Sequence, residues 1–114
     1  MTRPFDRERY DRALAEGAEE YRDVLDALKT IGIDALFTQT GGMCAAIEAN
    51  LEDETSLLIT DADDSLAWDR GHHSGWGVGV YEIDAPDEPI WFDAVEDGSL
   101  QALINLIDRA HRRE

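Results

Sequence analysis

The spacing of apolar residues changes twice along this chain, and those two changes limit what it can fold into. From Tyr10 through Leu14, Ala18, Tyr21, Leu25 and Leu28 to Ile31, apolar positions recur every three or four residues, the period of one helix face. Between residues 35 and 95 the period falls to two, as in strands with one buried face. From Leu100 through Leu103, Ile104, Leu106 and Ile107 it returns to three and four. The order is therefore helix, strands, helix.

Local signals sharpen that order. Thr2 or Asp6 can cap the first helix, and Gly32 suits the left-handed residue that ends one. Without a break this helix runs about 25 residues, and Gly17 is the expected place for a break. The strand-like runs are Ala35–Thr40, Met43–Leu51, Leu57–Thr60, Trp76–Ile83 and Ile90–Val95. Gly41–Gly42 reads as a two-residue hairpin turn, and Pro86–Pro89 as a second turn. Ser99 is the expected cap of the last helix, which ends in Arg109, His111, Arg112 and Arg113, cations suited to the negative end of the helix dipole. Short connections favour an antiparallel meander of four or five strands. The amphipathic helices then cover one sheet face, giving a two-layer α+β fold. At 114 residues this is one domain.

Charge divides the chain unevenly. Twenty-six acids against ten bases leave a net charge of −16. Seventeen of those acids, and only one base (Arg70), lie in residues 30–108, whereas residues 1–29 hold eight acids and six bases. Direct binding to nucleic acid or to anionic membranes is excluded by repulsion. With the helices on one sheet face, the open face and the strand ends are expected to form a continuous negative surface. That surface serves solubility, including at high salt, or it receives a basic protein, in the sharpest form as a mimic of nucleic acid. The single cysteine, Cys44, points to a reducing cytoplasm. No run approaches the ~20 apolar residues of a membrane span, and the first residues lack a signal-peptide core.

One connection, Asp61–Gly75, is long enough to suggest function. It gathers Asp61, Asp63, Asp64, Trp68, Asp69, Arg70, His72 and His73. A metal could use the histidines and aspartates, but adjacent histidines in an extended chain diverge. A calcium loop would need glycine where Leu66 stands and glutamate where His72 stands. Trp68 is expected to tuck into the core. Cys44 lies on the more polar face of its strand with Ala46, Glu48 and Asn50, so a thiol–imidazole pair with His72 or His73 is the enzymatic alternative. A net negative field raises a thiol pKa and weighs against it.

Gly77 and Gly79 alternate on one strand face, leaving room for a backbone, ring or ligand. Trp91 alternates with Ile90 and Phe92, so one large aromatic faces the acidic side, where it would anchor an arginine-rich partner. The binding surface expected from these residues is Glu48, Asp61, Asp63, Asp64, Trp68, Asp69, Glu82, Asp84, Trp91 and Asp93, with no metal and no cofactor.

The segments Gln39–Ile47, Leu58–Asp61 and Gly75–Tyr81 carry the pattern QTGGxCxAI … LITD … GWxVGxY. In this the chain resembles a group of small uncharacterised proteins of actinobacteria and their phages, over roughly residues 33–95. The resemblance implies a small intracellular accessory protein, borne by a mobile element, and transfers no catalytic residue. The function expected is that of a non-enzymatic acidic domain binding a basic protein, as a nucleic-acid mimic or an inhibitor of a host protein. The alternative is an enzyme or metal-binding domain using Cys44 and the Asp61–Gly75 loop.

Overall fold

The computed structural model describes residues 7–41, 44–51, 54–62, 66–67 and 74–112. Its elements run α1 (Arg7–Glu20), α2 (Arg22–Thr30), β1 (Ala35–Gly41), β2 (Cys44–Asn50), β3 (Thr55–Thr60), β4 (Trp76–Glu82), β5 (Ala85–Val95) and α3 (Leu100–Arg112). Each strand pairs antiparallel with its sequence neighbour in the order β1-β2-β3-β4-β5. Alternate residues of the sheet (Phe37, Ala45, Ile47, Ala49, Leu57, Ile59, Trp76, Val78, Val80) form one core with Tyr21, Val24 and Leu28 of the N-terminal helical region and Leu103, Leu106, Ile107 and Ala110 of α3. All helices thus share one face, and the fold is the expected α+β meander.

The long first helix does break, but at Tyr21 rather than Gly17. Tyr21 has φ −105° and ψ 22°. The bend keeps its hydrogen-bond ladder, since Tyr21 N–H donates to the Gly17 carbonyl (3.1 Å) and Leu25 N–H to that of Tyr21 (2.9 Å). Gly17 stays helical because its missing side chain lets the sheet come close. A Cβ there would lie under 3.0 Å from three atoms of the Phe37 ring. That ring stacks on Tyr21 (centroids 5.8 Å, interplanar 20°), and the fully buried Tyr21 donates its hydroxyl to the Ala67 carbonyl at 2.6 Å.

The helix ends follow from local chemistry. Gly32, at φ +87°, donates to Lys29 (3.0 Å) and Ile33 to Leu28 (2.8 Å), a Schellman pair that closes α2. Ser99 Oγ accepts the Ala102 N–H (3.2 Å), capping α3 as expected. The Ser99 carbonyl accepts the indole N–H of Trp76 (2.8 Å), so the largest buried ring of the core leaves no orphan donor.

The prolines sit differently from the expectation of a turn at Pro86–Pro89. The turn is Ile83–Asp84, and Ala85 already pairs with Glu82. Pro86 and Pro89 fall where the β5 register shifts, and an edge strand tolerates residues that cannot donate to a ladder. Among the described residues no helix is long and apolar enough to cross a membrane.

Candidate functional site

The face of the sheet away from the helices is the surface most unlike ordinary solvated protein. Register places Leu36, Glu48, Leu58, Gly79 and Phe92 in one row straight across all five strands. Leu36 is 57% exposed and Phe92 54%; Ile90, where the β5 register shifts, is 47% exposed. Glu48 is the one carboxylate in that row. The five strands together hold five acids and no lysine or arginine.

The alternating glycines of β4 are already filled. A Cβ on Gly79 would lie 2.8 Å from the Tyr81 ring, and one on Gly77 would lie 3.4 Å from Phe92 Cζ and 2.9 Å from the Asp61 carbonyl oxygen. Two aromatic side chains therefore reach the places on the strand where side chains are missing. The space that the sequence offered to a ligand or helix is occupied by the sheet's own residues.

Among the described residues, acids stand at both ends of the sheet as well as on it at Glu48 and Glu88. At one end Glu54, Glu82 and Asp84 are all exposed around Ile83, whose N–H donates to the Glu54 carbonyl (3.2 Å). At the other end stand Asp61, Glu96 and Asp97; a Cβ on Gly75 would meet both Ala62 and the Glu96 backbone, so the β3 and β5 termini adjoin there. Asp97 Oδ1 accepts the Ser99 N–H (2.9 Å). This backbone hydrogen bond, with a second from the Ser99 side chain, holds the Asp97 carboxyl below its ordinary pKa.

The expected site residues fare unevenly. Glu48, Glu82 and Asp84 are exposed. Asp61 is half-buried, and its Oδ2 accepts the Ala67 N–H (3.2 Å), closing the start of the long connection. Asp93 points toward the helices: it pairs with Arg109 of α3, and its Oδ1 accepts the Ala94 N–H (2.8 Å). Trp91 lies opposite Val80 and packs against the core, so Phe92 is the aromatic on the other side. Neither Asp93 nor Trp91 belongs to the outward surface. Asp63, Asp64, Trp68 and Asp69 lie outside the described residues, as do His72 and His73. Cys44 pairs with Gly41 at the mouth of the β1–β2 hairpin. Among the described residues no three His, Cys, Asp or Glu side chains form a group that could hold a metal ion.

The residue that plugs the core from the long connection is Leu66. It is 1% exposed, and its N–H donates to the Ala45 carbonyl (2.9 Å) on the edge of β2 beyond β3. Two helix bases are engaged within their own helical region, Arg22 with Glu19 (3.6 Å) and Arg112 with Asp108 (3.0 Å). Comparison with protein-family models, curated proteins and solved structures gave no match.

Proposed function

We propose that this chain is a non-enzymatic binding domain that receives a basic protein on the helix-free face of its sheet. The observation that carries the reading is the half-exposed pair Leu36 and Phe92 in one row of the helix-free face, with acids at the sheet's ends and strands without a single lysine or arginine. The apolar residues supply burial, at roughly 25 cal/mol per Å² removed from water. Phe92 and Tyr81 offer ring faces to arginine, worth about 0.5–2 kcal/mol each. The carboxylates steer a cationic partner and set its orientation more than its affinity. In its finer form the partner's cationic groove is one that holds nucleic acid, and the acidic ends stand in for phosphates. The chain would then act as an inhibitor of that partner.

The test is capture from a lysate of the encoding cells by the immobilised chain, at low and at high salt. Capture of one protein that is lost at high salt, in Glu48→Lys and in Phe92→Ala, but kept in Cys44→Ser, supports the reading. A protein retained through high salt and by the Phe92→Ala chain overturns it. Loss in Cys44→Ser alone would move the function to the alternative built on Cys44.

A further inference from the structure

The helical layer does not cover the sheet evenly. α1 and α2 pack on β1, α3 packs on β4 and β5, and α2 touches α3 without closing the layer over the end of β2. Between them runs a cleft of about 730 Å³, within the size range of small-molecule sites. Ile31 and Ile33 form one wall, Ile104 and Ile107 the other, and Leu51 closes the sheet side. Ile31 is 44% exposed there, an apolar side chain left to water on a wall that the Schellman closure of α2 holds rigid. Asn50, Asp108 and His111 stand among the lining residues as its polar groups.

We propose that this cleft binds a small aliphatic amine, with the hydrocarbon between the isoleucines and the ammonium at Asp108. Electrostatics decide against an acid. Among the described residues no lysine or arginine lines the cleft, the chain carries −16, and α2 ends at the cleft, bringing the negative end of its dipole to it. Asp108 already pairs with one cation, the Arg112 guanidinium one turn along α3 at 3.0 Å. That pair is solvent-exposed and weak, so an ammonium can share or take the carboxylate. This site is independent of the helix-free face.

The test is a titration of the ¹⁵N-labelled chain with hexylammonium, and in parallel with hexanol and hexanoate. The expected result is saturable shifts of the Ile33, Leu51 and Ile104 amides with hexylammonium, and binding of hexanoate at least tenfold weaker. Asp108→Asn is expected to weaken hexylammonium several-fold while leaving hexanol unchanged. Shifts confined to the acidic ends of the sheet would mean general ion pairing and overturn the proposal, as would equal binding of hexanoate or no saturable shift at all. The folded state of each variant is read from the dispersion of the same spectra.

Discussion

Replacing Gly17 with alanine separates two opposed effects that are usually confounded. On an isolated helix the change is favourable by about 1 kcal/mol, because glycine loses more backbone entropy than alanine. Here the new methyl would fall under 3.0 Å from Cε1, Cζ and Cδ1 of Phe37. Phe37 is 5% exposed and stacked on Tyr21, which is itself fully buried and tied by its hydroxyl to Ala67. The ring has nowhere to retreat, so the overpacking cost belongs near the upper end of its usual range, about 3 kcal/mol. The net expectation is a loss of about 2 kcal/mol, roughly 10 °C in Tm for a domain near 100 residues.

Urea unfolding and calorimetry of Gly17→Ala, Phe37→Leu and the double variant provide the assay. Phe37→Leu alone loses ring packing and destabilises by about 1–2 kcal/mol. In the double variant the alanine methyl enters the space the ring vacated, and the two losses fall short of additivity by about 2 kcal/mol. A Gly17→Ala chain as stable as the parent, or more so, would refute the steric account, and strict additivity would show that the two positions do not touch.

Three backbone and capping positions and one tether give further tests. Gly32→Ala meets nothing within 4 Å but stands at φ +87°, so it should cost about 1 kcal/mol through conformation alone, read by the same unfolding curves. Glu54, at φ +65°, is the mirror case, and Glu54→Gly is expected to stabilise the chain by up to about 1 kcal/mol. Tyr21→Phe removes the hydroxyl donor to Ala67; about 1 kcal/mol is lost and hydrogen exchange at the Leu66 and Ala67 amides speeds up. Asp97 is a carboxylate whose pKa is lowered in the fold, so its stabilising effect is present above its ordinary 3.8 and is lost as the pH falls through the lower folded value. Asp97→Ala should thus be less stable than the parent at neutral pH, with the gap closing below pH 3.8.

What was legible in the sequence was what is decided within a few residues. The left-handed Gly32 and the hydroxyl cap at Ser99 act on neighbouring amides, so their types at those positions were sufficient signals. The change of hydrophobic period likewise placed β1 to β4 to within two residues at either end, whereas β5 starts five residues before the expected Ile90. Gly17 was misread because its reason lies twenty positions away, in Phe37, and no local preference reports that contact. Alternation showed that Trp91 and Phe92 face opposite ways; which faces the core depends on pairing with Val80. The prolines of β5 were read as a turn because nothing local announces that this strand is an edge, where a missing N–H costs no ladder bond. The acidity was legible as a total but not as a pattern: only the register shows that Glu48 stands in a row with Leu36, Leu58 and Phe92 while other acids stand at the ends.

That pattern bears on what the charge is for. Solubility is served by carboxylates anywhere on the surface and gives no reason to keep lysine and arginine off all five strands. Edge strands in particular commonly carry lysine against unwanted pairing. Here β1 holds no charged residue at all, and β5 relies on prolines and shifted register. A half-exposed apolar face on such a sheet would invite self-association, but two copies each carrying −16 repel one another before their faces meet. The same field that holds like molecules apart would draw a cationic surface in, and Leu36 and Phe92 would then supply apolar contact under the proposed reading. On that reading, negative charge and exposed hydrophobic residues together would select a partner that is basic and apolar at once.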